Sequence, residues 1–165
     1  MPPDIHWASG PWRGKLGIGA RPRGDDWLAE DIERWRGQGI DVILSLLTVE
    51  EQRDLGLLNE ANVAKTHGIT FVSLPIGDMQ IPRSRQPLAG VLQMISAELS
   101  SGRNVFIHCR QGIGRTGLVA ACLLVKAGWT PENAMKHLTN VRGLPVPQTE
   151  EQREWVLDFS KDEER

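Results

Sequence analysis

The stretch Val105-Phe106-Ile107-His108-Cys109-Arg110-Gln111-Gly112-Ile113-Gly114-Arg115-Thr116-Gly117 decides how the rest of the chain is read. Asn104–His108 is an apolar run that predicts a buried strand. Arg115–Ala127 predicts a helix, and its segment Leu118–Val125, apolar on every side, implies a central helix packed on a sheet. Between strand and helix, a cysteine and an arginine bracket five residues, two of them glycine. Gly112 and Gly114 are expected to adopt positive φ and turn successive N–H groups inward as an anion-binding nest. The positive end of the helix points at the same spot. Arg115 adds a planar fork for two oxyanion oxygens. The oxyanion cradle expected from this stretch is Arg110, Gln111, Gly112, Ile113, Gly114 and Arg115. Its field also favours a thiolate at Cys109, with His108, Thr116 and the loop amides as the groups that hold the charge.

Working outward, the apolar period switches repeatedly. Strands are expected at Lys15–Ala20, Ile40–Leu47 and Ile69–Leu74. Between them, Asp25 or Asp26 is expected to cap a helix that runs through Trp35 and stops at Gly37 and Gly39. A helical stretch over residues 49–66, broken near Gly56, ends at Gly68. The segment Ile76–Pro87 is expected to be irregular. Leu88, Val91, Leu92, Ile95 and Leu99 then mark one helix face, stopped by Gly102. Pro131–Val141 and Thr149–Ser160 are the last helices. The alternation predicts a single α/β domain over residues 1–165, with a mostly parallel central sheet of about four or five strands flanked by helices. Ligands of such sheets bind beyond the strand C-termini, where Cys109 falls.

Composition narrows the function. The chain has 165 residues, 40% apolar and 24% charged, which suits one globular domain. With 19 basic against 21 acidic residues it lacks the excess positive charge of a general nucleic-acid binder. Its charge is uneven: residues 1–24 carry four basic residues against one acid, and residues 150–165 seven acids against three bases. Two cysteines, Cys109 and Cys122, make neither a disulfide framework nor a four-ligand zinc site. His6, His67 and His137 are scattered and suggest no metal site. Cys122 and the six tryptophans are expected to serve packing. The longest apolar run, eight residues, is far too short to span a bilayer, and Met1-Pro2-Pro3-Asp4 does not resemble a secretory signal. The expectation is a cytoplasmic monomer with no membrane span, no metal and no other cofactor.

His-Cys-x5-Arg-Thr-Gly resembles the signature of the cysteine-dependent tyrosine and dual-specificity protein phosphatases. The similarity extends through Leu118–Leu124, Pro131-Glu132-Asn133-Ala134, Val141-Arg142-Gly143 and Gln148-Thr149-Glu150-Glu151-Gln152. It is nearest to the kinase-associated (cyclin-dependent kinase inhibitor 3-like) phosphatases and their small bacterial relatives, and its specific motifs cover residues 75–152. The resemblance implies a tyrosine phosphatase-like fold and hydrolysis of phosphoproteins without a metal, through a cysteinyl-phosphate. Phosphotyrosine is the expected substrate group, with phosphoserine and phosphothreonine also considered. Phosphoinositides are an alternative substrate. Sulfur transfer and arsenate reduction are alternative chemistries, because rhodanese-like domains and some arsenate reductases share Cys-x5-Arg.

Cleaving a phosphate ester needs a proton for the leaving oxygen. Asp78, just past a strand end on a loop with freedom to move, is the expected acid. It lies 31 residues before Cys109, and in the resembled family the acid occupies such a loop about 30 residues ahead of the cysteine. Gln148 and Gln152 match the family glutamines that position water for the second step; the alternative is that they cap the last helix. Thr116 is expected to stabilise the departing thiolate. The family's Trp-Pro-Asp version of the acid loop is absent. The chain also has no tyrosine, so it lacks an aromatic phosphotyrosine clamp. Arg83, Arg85 and Arg110 are candidates for recognising a second anionic group. Position 113 is Ile, where inositol-lipid phosphatases carry a basic residue, which favours protein over lipid substrates.

Overall fold

Five strands, His6–Ala8 (β1), Leu16–Ala20 (β2), Val42–Ser45 (β3), Thr70–Ser73 (β4) and Val105–Cys109 (β5), form one sheet in the order β1-β2-β5-β3-β4. A computed structural model describes residues 3–164. Four strands run parallel and β1 joins antiparallel at the edge. Parallel strands need covered crossovers, and the helices Leu28–Gly37 (α1), Val49–Asp54 (α2), Glu60–Thr66 (α3), Arg85–Ser100 (α4), Gly114–Lys126 (α5), Pro131–Arg142 (α6) and Glu150–Glu163 (α7) supply that cover. Every residue of β5 is buried, which suits its central place. Its register sets Cys109 beside Ala20 and His108 beside Ser45, so three strand ends meet where the site is built.

The sheet has a core on each face. On one, Leu92, Ile95, Val119, Leu123 and Val156 pack together; on the other, Ile32, Trp35, Ile43, Ala64 and Phe106 do so. Trp35 and Phe106 lie with ring centroids 4.5 Å apart, and truncating such a buried aromatic costs about 3–5 kcal/mol. Helix α5 is buried from Gly114 to Val125, as its all-round apolar sequence requires. Cys122 is wholly enclosed there, and burial pushes its thiol well above the ordinary range. Among the described residues no helix is long and apolar enough to cross a membrane.

Several boundaries differ from expectation. Neither Asp25 nor Asp26 caps α1: residues Asp25–Trp27 form a 3-10 turn and α1 begins at Leu28. The approach is set instead by Asp31 of α1, which accepts the Arg23 N–H at 2.8 Å and pairs with its guanidinium. Pro87 lies inside the first turn of α4, where its missing N–H costs little. The short edge strand β1 has too few residues to display an alternating pattern. Cys109 is the last paired residue of β5 instead of the first residue after it.

Candidate active site

The loop from Cys109 to Arg115 is shaped by close backbone contact. Gly112 has φ +74, and a Cβ there would sit 2.2 Å from the carbonyl carbon of Gly19 in β2. No other residue fits without moving the strand. Gly114 is not left-handed, contrary to expectation; it lies close against two glutamine amides, which would have to shift to admit a Cβ. A Cβ at Gly114 would lie 2.9 Å from Gln152 Oε1 and 3.1 Å from Gln148 Oε1. Arg142, at the end of α6, donates from Nε to the Gly112 carbonyl (3.2 Å) and from Nη2 to the Gln111 carbonyl (2.9 Å). In a trans peptide the N–H points opposite its C=O, so these bonds orient the Gly112 and Ile113 N–H groups away from Arg142. Ile113, the N-cap of α5, makes no side-chain cap bond, so no cap competes with an anion for the first-turn amides.

Arg115 is almost wholly buried and is held by α2 and by the loop that follows β4. Nη1 donates to Glu51 Oε1 at 2.6 Å and to the Ile76 carbonyl at 2.8 Å. Nη2 donates to Glu51 Oε2 at 2.9 Å and to Asp78 Oδ1 at 3.0 Å. Burial works against the guanidinium charge, but the Glu51 hydrogen bonds and the nearby charge of Cys109 outweigh it and raise its pKa. For Glu51, burial pushes the carboxyl up, and the bonds from Arg115 and the Thr48 backbone overcome this, leaving it below its ordinary value. Nothing in the sequence reading pointed to Glu51. Its only local sign is the pattern Thr48-x-x-Glu51, a capping box at the start of α2.

A cavity of about 120 Å³ is lined by Cys109, Gln111, Gly114, Arg115, Asp78 and Gln148. Asp78 stands half-exposed in a turn closed by the Gln80 N–H on the Gly77 carbonyl at 3.0 Å. Met79, next to it at φ +63, also lines the cavity. Thr116 is buried, and its hydroxyl has no hydrogen-bond partner among the described residues. Gln148 reaches the cavity, whereas the Gln152 amide is engaged in the cap of α7 and with the Gln80 carbonyl.

His108 does not turn toward the sulfur. Neighbouring residues of a strand point to opposite faces, so His108 and Cys109 diverge. The imidazole Nε2 lies 2.7 Å from Glu60 Oε2, both side chains being buried, and Nδ1 is 3.4 Å from the Cys109 carbonyl oxygen. Glu60, on α3, carries no sequence mark of this role. Arg142 does belong to a family-like motif, although its clamp on the loop is visible only in three dimensions. Arg110 is exposed, with Nε 3.5 Å from Glu51 Oε2. Arg85 pairs with Asp162 and lies over the Trp155 ring at 5.5 Å, both on α7.

A cysteine and an arginine on one strand-loop-helix turn, facing a carboxylate across a small cavity, define the class. The chain belongs to the family described as "Polymorphic toxin system, DSP-PTPase phosphatase", which it matches over residues 17–129. It is 30% identical to human cyclin-dependent kinase inhibitor 3 over 134 residues, which cover 80% of this chain and 63% of that protein. It is also 30% identical over 107 residues to the putative tyrosine phosphatase 067L of invertebrate iridescent virus 3, covering 60% of this chain and 45% of that one. Its fold superposes on kinase-associated phosphatase bearing a serine in place of the catalytic-site cysteine. That match has a TM-score of 0.91 at 26% identity, covering 99% of this chain and 97% of the other.

Proposed function

We propose that the chain hydrolyses phosphoproteins, phosphotyrosine first and phosphoserine or phosphothreonine as well, through a cysteinyl-phosphate. The observation that carries this reading is the meeting of Cys109, Arg115 and Asp78 around one small cavity. The Cys109 thiolate attacks phosphorus and the ester P–O bond breaks as Asp78 donates its proton to the leaving oxygen. A water oriented by Gln148 then attacks phosphorus and gives its proton to Asp78. The P–S bond breaks and phosphate leaves. The buried Thr116 hydroxyl supplies a donor for the departing thiolate. Positive charge comes from Arg115 and the loop amides, so the reading requires no metal. A chain without tyrosine has no phenol to clamp a phosphotyrosine ring, which supports a pocket open to shorter phosphoresidues.

The test is turnover of an aryl phosphate by the wild type and by Cys109→Ser. Removing the nucleophile is expected to lower kcat by about 10⁴-fold or more while phosphate binding persists. Undiminished turnover by the variant would take Cys109 out of the mechanism.

A further inference from the structure

Gln152 is wholly buried and touches three parts of the site. Its Oε1 accepts from the N–H groups of Gln148 (3.2 Å) and Thr149 (3.1 Å), closing the cap of α7. Its Nε2 donates to the Gln80 carbonyl at 3.0 Å, across 72 residues of sequence. Its amide also abuts the first turn of α5, since a Cβ on Gly114 would lie 3.0 Å from Nε2.

Gln80 lies two residues past Asp78 and closes the turn that carries it. On the other side of that turn, the Ile76 carbonyl is held by Arg115. The acid turn is therefore fastened on one side by the phosphate loop's arginine and on the other by Gln152. With both oxygen lone pairs and one N–H engaged, Gln152 has a single donor left for a water. Gln148, by contrast, lines the cavity itself.

We propose that Gln152 is a positioning residue for the general acid: it holds the Gln80 carbonyl and thereby sets Asp78 over Arg115 and Cys109. It acts on the first P–O cleavage and not on the water of the second step. The inference rests on the phosphatase reading above.

The experiment compares kcat/KM for a nitrophenyl phosphate, whose leaving group needs little proton, with that for an alkyl phosphate, which needs it fully. Because kcat/KM reports steps up to the first irreversible one, a defect in the second step leaves it unchanged. Gln152→Met is expected to lose about 10-fold more on the alkyl ester than on the aryl one. Gln152→Glu keeps the two accepted cap bonds and sets an oxygen against the Gln80 carbonyl; it should show the same split, and it carries the test if Gln152→Met does not fold. In an Asp78→Asn background, Gln152→Met should add less than about 2-fold, since the two act as one unit. Equal kcat/KM losses on both esters overturn the proposal. So does a fall in kcat alone with accumulated phosphoenzyme, or full additivity with Asp78→Asn. Wild-type protein that hydrolyses neither ester would instead overturn the phosphatase reading, and this inference with it.

Discussion

Two helices that flank the site, α2 and α7, begin in the same way and end up with different duties. In each, a threonine side chain accepts the N–H of the residue three positions on, and that residue's side chain reaches back to the threonine N–H. Thr48 and Glu51 form one such box, Thr149 and Gln152 the other. In both, the third-position side chain serves a second partner on the active-site side. Glu51 is charged and holds a guanidinium with both oxygens. Gln152 is neutral and holds a backbone carbonyl with its NH2 group. A buried cation needs a counter-charge, whereas a carbonyl needs only a donor. The same local motif therefore places opposite kinds of group beside one site; of the two side chains that form each box, the threonine is shared and the third-position residue differs.

The comparison can be broken most severely at the partner of the charged box. Arg115→Lys loses the two-pronged contact to Glu51 and the planar fork for phosphate, and turnover is expected to fall about 10³-fold. Phosphatase assays with a circular-dichroism check on folding would read this. Turnover within a few-fold of wild type would mean that Arg115 is structural only.

A milder break converts the charged box into a copy of the neutral one. Glu51→Gln keeps an oxygen for the Thr48 N–H but removes the buried carboxylate from Arg115, leaving it only the half-exposed Asp78, and is expected to cost about 3 kcal/mol in urea unfolding. The pH dependence follows from the lowered pKa of Glu51. Its contribution is fully present above the ordinary carboxyl value of 4.5 and is lost as pH falls through the lower folded-state value. Glu51→Gln should therefore narrow its stability gap to wild type on acidification below about pH 4.5. A gap that stays constant down to pH 3 would show that the pair does not stabilise the fold through charge (~3 being well below the ordinary carboxylate range).

The smallest effects belong to the threonines, where the two boxes should behave alike. Thr48→Ala and Thr149→Ala are each expected to cost about 1 kcal/mol, read as a lowered melting temperature. A loss several times larger at only one of them would show that this box has a further structural role.

How much of this was legible depended on the range of each interaction. The strand-loop-helix around Cys109 could be read directly, because an apolar run, glycines and a second apolar run lie consecutively. Asp78 could be placed by its position past a strand end. The starts of α1 and α4 differ from expectation for separate reasons: Asp31 reaches back to Arg23 and sets the approach to α1, and Pro87 sits in the first turn of α4, where no N–H is needed. His108 adjoins Cys109 in sequence, but strand alternation turns its ring to Glu60 and away from the sulfur. Gln148 and Gln152 could be named together, but nothing in their spacing separates Gln148, which lines the cavity, from Gln152, which donates to the Gln80 carbonyl.

The sequence by itself determined the strand, glycine loop and helix that carry Cys109 and Arg115, since these residues are consecutive along one turn of chain. Only the tertiary structure decided what holds that arginine and what Asp78 faces. Glu51 and Asp78 lie 64 and 37 residues from Arg115, and they meet it only after the chain has folded. The physical reason is sheet order: β5 lies between β2 and β3, so the loops leaving neighbouring strands converge beyond its C-terminal end.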